Sequence, residues 1–338
     1  MVRSHRLLRV AVVVACGLWL ATSAAVPTNA ALPLTVVTVA GAGSVSHGPL
    51  FIADRQGYFA RQGIRYESVM MASFGAASAP LIKGQIDVFS GVVDAAFFNA
   101  VAANQLLRIV ASQGYYPANS RNSALVVRPD LYGADVKTVA DLRGRKIGVN
   151  SIGGSSHYIL TKMLAKGGLK LVDVEFVRLP FASMVAALLN RAIDAALMNE
   201  PFITQLEQLR GGVRLMGIGE AISGESATYL TFGSRLLTQD REVGKRFMLA
   251  YLQGVQQFRL GPTDRNVKIL SEYLKIDENA VRQAGWVDMY PDARVNVHSI
   301  QRFQDWLYEI GSVQVRSPAA MLVDMSFTEH AATALNLR

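Results

Sequence analysis

The chain has 338 residues, 51% of them hydrophobic and 18% charged, with a mean hydropathy of +0.23, a formal charge of +8 and a single cysteine. That length supports one large or two mid-sized domains with a substantial core, and the apolar share excludes a disordered chain. The lone Cys16 excludes an intrachain disulfide and a cysteine-based metal cage.

Arg3, Arg6 and Arg9 precede an apolar run over residues 10–20, and a small-residue stretch broken by Pro27 follows. A basic start, an apolar centre and small residues near a cleavage point mark a secretory signal over residues 1–30. Cleavage is expected after Ala30, with Ala25 as the alternative. A competing reading makes Val13-Val14-Ala15-Cys16 a lipoprotein box with Cys16 lipidated. Of the 34 Lys and Arg the signal takes three and none of the 26 acids, leaving 31 against 26 and a net of +5. The remaining charges are scattered, so no basic block of the nucleic-acid-binding kind is present. The expected product is an exported, periplasmic, cysteine-free chain.

After the signal, residues 34–40 form a β-branched run that predicts a buried strand, and 41–48 a turn-rich loop. Pro49 suits the first position of a helix over 50–62, re-aimed at Gly57 and stopped by Gly63. A strand over 64–70, a helix over 74–83, a strand over 86–90, a helix over 94–104 capped by Asp94 and a strand over 106–112 follow. The pattern restarts with a strand over 146–150, a glycine-serine loop over 151–154 and a helix over 155–165. Strands over 174–179 and 193–198 then alternate with helices over 183–190 and 201–209, and 213–217 closes the second half. Leu81-Ile82-Lys83-Gly84-Gln85-Ile86-Asp87 aligns with Leu188-Leu189-Asn190-Arg191-Ala192-Ile193-Asp194, 107 positions later. Both copies end a helix, turn, and open a strand with Ile-Asp, which points to an internal duplication. Alternating strands and helices imply two α/β lobes with parallel sheets. Residues 235–338 read as helices over 242–260, 265–274, 278–284, 297–310 and 318–322 that cap one lobe. The loop-rich stretches 114–122 and 217–225 are the candidate crossings. They assign 31–118 plus 225–338 to the first lobe and 119–224 to the second.

Residues 43–48 have phosphate-loop glycine spacing but lack the lysine that would reach a phosphate. The isolated His47, His157, His298 and His330 form no metal cluster, and no cofactor or catalytic constellation is recognisable. Two loop-to-helix junctions stand out instead. Ser44, Ser46 and His47 follow the first strand, and Gly153, Gly154, Ser155 and Ser156 follow its counterpart. Helix amino termini and hydroxyls beyond the carboxyl ends of strands favour an anionic group.

Several motifs give a family resemblance. They are Ala53-x-x-x-Gly57-Tyr58-Phe59-x-x-x-Gly63-Ile64, the 81–88 turn, the run from Asp141 to Val149 with its following 153–156 loop, and Ile193-Asp194-Ala195-Ala196 leading to Glu200-Pro201. In these the chain resembles the solute-binding proteins of ABC importers for nitrate, sulfonates, taurine and thiamine precursors. Gln85 stands where that family's turn carries an acid. The resemblance implies an α/β type II periplasmic binding protein fold, with two lobes, a two-strand hinge and a ligand cleft between them. It further implies a monomeric receptor that hands a small organic anion, sulfonate- or taurine-like, to an ABC permease and its ATPase. An enzyme on the same fold, pyrimidine-synthase-like or desulfinase-like, is the alternative, as is a sensory receptor.

The ligand-contact candidates are Ser44, Ser46, His47, Phe74, Ser90, Gly91, Val92, Gly154, Ser155, Ser156, Asn199 and Glu200. His47 either donates to an anionic head group or caps the neighbouring helix. Phe74 either stacks on the ligand or packs in the core. Glu200 either accepts from an amine or complements the next helix amino terminus. Arg121 is a candidate partner for a carboxylate or sulfonate. Asp87 and Asp194 read as turn and strand-start residues, and Trp306 and Tyr308 as core.

Overall fold

β1 (Thr35–Gly41) is a β-branched run whose side chains alternate between two cores, Val37 and Val39 on one face and Ala40 on the other. It pairs in parallel with β2 (Ile64–Met70) on one side and β3 (Val88–Gly91) on the other. The structure, a computed structural model, describes residues 34–337 except 42, 72, 121, 151, 201 and 227. The expected signal segment with Cys16, and Arg121, lie outside the described residues.

β4 (Arg108–Ser112) completes the first sheet through β10 (Tyr229–Phe232), which runs antiparallel to both β3 and β4. The order is β2-β1-β3-β10-β4. The second sheet comprises β5 (Ser123–Val127), β6 (Lys146–Val149), β7 (Glu175–Arg178), β8 (Ala195–Asn199) and β9 (Val213–Gly217). Its order is β7-β6-β8-β5-β9, with β5 antiparallel to β8 and β9. The two five-stranded sheets therefore have the same topology, as the Ile-Asp repeat implies. They are mixed and not parallel as the alternation predicted. Each antiparallel strand enters its sheet directly after the chain has crossed from the other one, so it has no βαβ unit of its own.

Helices cover both faces of each sheet. On the first, Phe247, Tyr251 and Val255 of Arg241–Phe258 pack with Phe232 and Phe327 on one face, and Phe97, Phe98, Phe303 and Trp306 pack on the other. Leu125 and Val127 against Ala124 and Val126 show the same division for β5. The carboxy-terminal helices thus share cores with the first sheet. Among them, Ser326–Ala334 was not expected from the sequence. The predicted break at Gly57 is present: its φ of 68° separates Gly48–Arg55, with Pro in its first turn, from Tyr58–Arg61. Among the described residues no helix is long and apolar enough to cross a membrane.

The chain passes between the sheets twice, and the two crossing segments pair with each other. The Gln113 N–H donates to the Thr228 carbonyl at 2.8 Å, the Tyr116 N–H to Glu225 at 3.0 Å, and the Gly224 N–H to Tyr116 at 2.7 Å. A third segment braces this ladder through the Tyr115 N–H, which donates to the Asp288 carbonyl at 2.8 Å. The Asn296 side chain also donates to the Gly224 carbonyl, at 2.8 Å.

The repeated aspartates do the same work in both sheets. The Thr38 N–H donates to Asp87 at 2.9 Å and the Lys146 N–H to Asp194 at 2.9 Å. The aspartate N–H groups return bonds to the Thr38 and Lys146 carbonyls. Each carboxylate thereby extends a parallel strand pair by one step and is matched by an arginine, Arg235 on Asp87 at 2.8 Å and Arg128 on Asp194 at 3.5 Å. The Asp87 side chain is 4% exposed and that of Asp194 is 20% exposed, so the two substitutions differ. In denaturant unfolding, Asp87→Ala is expected to cost roughly 3 kcal/mol by leaving the Thr38 N–H unpaired and taking from Arg235 its buried carboxylate, with Asp240 and the Val36 carbonyl still bound to it. Asp194→Ala is expected to cost about 1 kcal/mol; equal losses would contradict this reading.

Candidate functional site

The carboxyl ends of β1, β3, β6 and β8 all open on one cleft of about 710 Å³. That volume lies within the roughly 300–1,000 Å³ usual for small-molecule sites, and the position is the one open α/β sheets use for ligands. The first sheet contributes Ser44 and Ser46 after β1 and Val92 and Val93 after β3. The second contributes Asn150, Ser155 and Ser156 after β6 and Asn199 and Glu200 after β8. Tyr116, Glu225 and Ser226 of the crossing segments lie between them. Ser155 and Ser156 open the helix Ser155–Lys166, whose first N–H groups have no intrahelical partner.

Seven of the expected contacts therefore line the cleft: Ser44, Ser46, Val92, Ser155, Ser156, Asn199 and Glu200. The remaining five do not. Phe74 is fully buried and packs edge-on against Phe89 and Phe97, at 5.2 and 5.4 Å between ring centroids. Ser90 is fully buried, with its hydroxyl donating to Gln113 at 3.0 Å. Gly91 is enclosed in β3 beneath the Phe89 ring. Gly154 is the N-cap position of its helix and offers no side chain. His47 is 5% exposed, and its Nε2 donates to the Ser90 carbonyl at 2.9 Å. Its polar atoms are engaged within the protein and not toward the cleft.

Glu200 is committed locally as well. One oxygen accepts from the Thr204 N–H and hydroxyl at 3.0 and 2.8 Å, and the other pairs with Arg214 at 2.5 Å. The carboxylate thus caps the helix Phe202–Gln208 while forming part of the cleft wall. Glu225 is similarly matched, accepting from the Tyr158 hydroxyl and from Arg302, each at 3.0 Å. Both cleft carboxylates are thus neutralised from behind, and the described lining residues include no lysine or arginine. Burial raises the Tyr116 and Tyr158 phenols well above their ordinary range and pushes Tyr229 up to about 12, so all three remain hydroxyls near neutral pH. The polar lining accordingly works through hydroxyl, amide and backbone N–H groups. Its apolar part includes Ile159, Leu197, Leu274, Ile276, Val287 and Phe303. Among the described residues no His, Cys, Asp and Glu cluster is able to hold a metal ion.

Sequence reasoning missed Tyr158 and Glu225, which meet because Ser155–Lys166 packs against the helix Ile218–Ile222 that leads into Glu225. It also missed Leu274, Ile276 and Val287, which belong to the carboxy-terminal helical part and carry no local signal. Asn122 and Ser123, which also line the cleft, were within reach, since they adjoin an expected crossing.

The NMT1/THI5-like family model matches residues 44–264, well over half of the chain, from the first cleft loop to the carboxy-terminal helices. The chain belongs to the NMT1/THI5-like family. A candidate binding protein of Brucella abortus is 31% identical over 144 residues, 42% of this chain and 44% of that one. The match thus spans less than half of that relative's length. A riboflavin-binding protein of Chloroflexus aurantiacus is 27% identical over 259 residues, 72% of this chain and 69% of its own. The periplasmic aliphatic sulphonate binding protein of Escherichia coli shares the fold, with a TM-score of 0.65 at 20% identity over 86% of this chain and 92% of that one. A desulfurization enzyme shares it too, with a TM-score of 0.65 at 17% identity over 88% and 99%. The fold of this family member is the type II periplasmic binding fold, in which the same topology occurs twice around a hinge.

The placement of Phe74 has a direct check. As a core residue, Phe74→Ala is expected to lower the unfolding free energy by about 3–5 kcal/mol. A loss below about 1 kcal/mol would instead place the ring at a free surface.

Proposed function

We propose that this protein is the extracytoplasmic solute-binding component of an ABC importer. In this reading it captures one small organic molecule in the cleft and, as a monomer, presents it to a membrane permease with its ATPase. The observation that carries the reading is the cleft lined by loops from both sheets and bounded by the paired crossing segments. A solute held there touches both sides at once, so it stabilises the closed arrangement over an open one by its differential contacts. The permease then has a shape difference to read.

The lining favours a solute with a polar head and an apolar body. Hydroxyls at Ser46, Ser155 and Ser156 and the amide of Asn199 suit a head group that accepts hydrogen bonds, such as a sulfonate or a heteroaromatic ring edge. The apolar wall would be wasted on nitrate. The relatives named for riboflavin and for aliphatic sulphonates agree with a polar head on an apolar body. An enzyme reading finds support in the desulfurization enzyme of the same fold. Against it, the only cysteine is Cys16, inside the expected signal, so thiol chemistry has no residue after export.

Isothermal titration with hexanesulfonate, taurine, riboflavin, a hydroxymethylpyrimidine and nitrate, followed by mass spectrometry of each compound, tests the reading. One organic member is expected to bind one-to-one with a Kd of about 1 µM or tighter and to be recovered unchanged. Turnover of any member, or binding of nitrate alone, would overturn it.

A further inference from the structure

The loops that open on the cleft from the two sheets are held by the same device. In the first, the Ser44 N–H donates to Nδ1 of His47 at 3.0 Å, and the Ser44 hydroxyl lies 2.8 Å from the same nitrogen. A backbone N–H can only donate, so Nδ1 is bare and the ring proton sits on Nε2. That proton goes to the Ser90 carbonyl, which ties the loop to the end of β3. Gly41 makes this approach feasible: a Cβ there would lie 2.7 Å from Nε2 and 2.8 Å from the Ser90 oxygen. In the second loop, the Gly153 N–H donates to Nδ1 of His157 at 3.0 Å. Nε2 of His157 is buried without a hydrogen-bond partner, and the ring meets Phe176 and Trp306 edge-on, each at 5.3 Å between centroids. Aromatic rings packed at right angles to the imidazole are a weak but suitable environment for a buried N–H.

We propose that His47 and His157 are a matched pair of positioning residues for solute binding, each fixing the cleft loop of its own sheet by accepting one backbone N–H through Nδ1. The proposal rests on reading the cleft as the solute site. Ser44 and Ser46 sit on the first loop, and Ser155 and Ser156 directly follow the second, so releasing either loop displaces hydroxyls that face the cleft. Neither histidine needs to touch the solute.

The device works only with neutral rings, because a proton on Nδ1 converts the acceptor into a donor facing another donor. Burial holds both histidines below their ordinary value of 6.5, on His47 against the opposing effect of its bonds to Ser90 and Ser44. Among the described residues no charged group bonds to either ring. Beside His47, Asp54 and Arg55 of Gly48–Arg55 are engaged by Tyr273 and Glu272, and Asp87, just before β3, by Arg235. Beside His157, Glu175 of β7 pairs with Lys146, while Arg178 of the same strand makes no bond to the ring. On Val297–Glu309, Arg302 pairs with Glu225 and Asp305 with Arg316. On the helix of His157 itself, Lys162 lies over the Tyr158 ring. Protonation is harder in the folded protein than in the unfolded chain. The contribution of the pair is therefore intact above pH 6.5 and is lost as pH falls below 6.5 toward the lowered values.

Imidazole ¹⁵N NMR and amide hydrogen exchange on the solute-free protein test the proposal, so its failure is separate from failure of the receptor reading. At about pH 7.5 both rings are expected as the Nε2–H tautomer, with the Ser44 and Gly153 amides protected. As the rings protonate, protection at these two amides should fall on the order of tenfold relative to intrinsic exchange, before global unfolding. His157→Phe should lose a similar factor at Gly153, whereas His157→Gln, which keeps an acceptor, should retain most of it. An Nδ1–H tautomer on either ring, or Gly153 protection unchanged in His157→Phe, would overturn the proposal.

Discussion

The short antiparallel pairing of residues 113–116 with residues 224–226 and 228 is the constraint on which the rest of this molecule depends. Two sheets of identical strand order are covalently joined where the chain crosses between them, and the packing of Tyr158 on Phe303 and Trp306 adds a side-chain contact, so the pairing of the crossing segments bears directly on the relative placement of their strand ends. Because those strand ends carry the cleft loops, a few backbone hydrogen bonds determine whether Ser44 and Ser155 face a common space. The crossing is also crowded: a Cβ at Gly219 would lie 2.0 Å from the Pro117 carbonyl, which ties the start of the helix Ile218–Ile222 to the first crossing segment. The brace from Asp288 and Asn296 adds the carboxy-terminal segment to this junction. Residues far along the chain, such as Ile276 and Phe303, become cleft walls for that reason.

The duplication extends from topology to individual bonds. Asp87 and Asp194 each close the start of a parallel strand pair, and His47 and His157 each accept an N–H from a cleft loop. The halves differ where the environment differs. Nε2 of His47 finds a carbonyl, whereas Nε2 of His157 lies among aromatic rings at the contact between the two halves. Tyr158, on the next residue of the same helix, packs on Phe303 and Trp306 and donates to Glu225, so this helix links the second sheet, the hinge and the first-sheet core. It is the element through which a change in cleft opening would be felt on both sides.

Much of this was legible in the residues. The β-branched run read at 34–40, the glycine break at 57, the proline at 49 and the repeated Ile-Asp turn each have a local physical cause, and each appears within a residue or two of where that cause places it, the strand at Thr35–Gly41. The small polar loops after β1 and β6 were recognisable as cleft material for the same reason. Three things were not legible. β5 and β10 are short apolar runs whose antiparallel direction follows from the crossing, a non-local event. The assignment of Phe74, Ser90 and His47 required knowing which face of each element meets the other core, and proximity to a cleft loop in sequence does not contain that information. The balance of Glu200 by Arg214 and of Glu225 by Arg302 brings together residues 14 and 77 positions apart, and it changes the cleft from a charged site to a hydrogen-bonding one.

In the proposed function a single solute is held between the loops of the two sheets. A crystal structure of the protein with its bound solute tests this most directly. The expected result is a molecule in contact both with the 43–46 loop of the first sheet and with Ser155 and Ser156 of the second, with the apolar part of the solute toward Leu197 and Phe303. A solute seated outside the cleft, or touching the loops of one sheet alone, would contradict it.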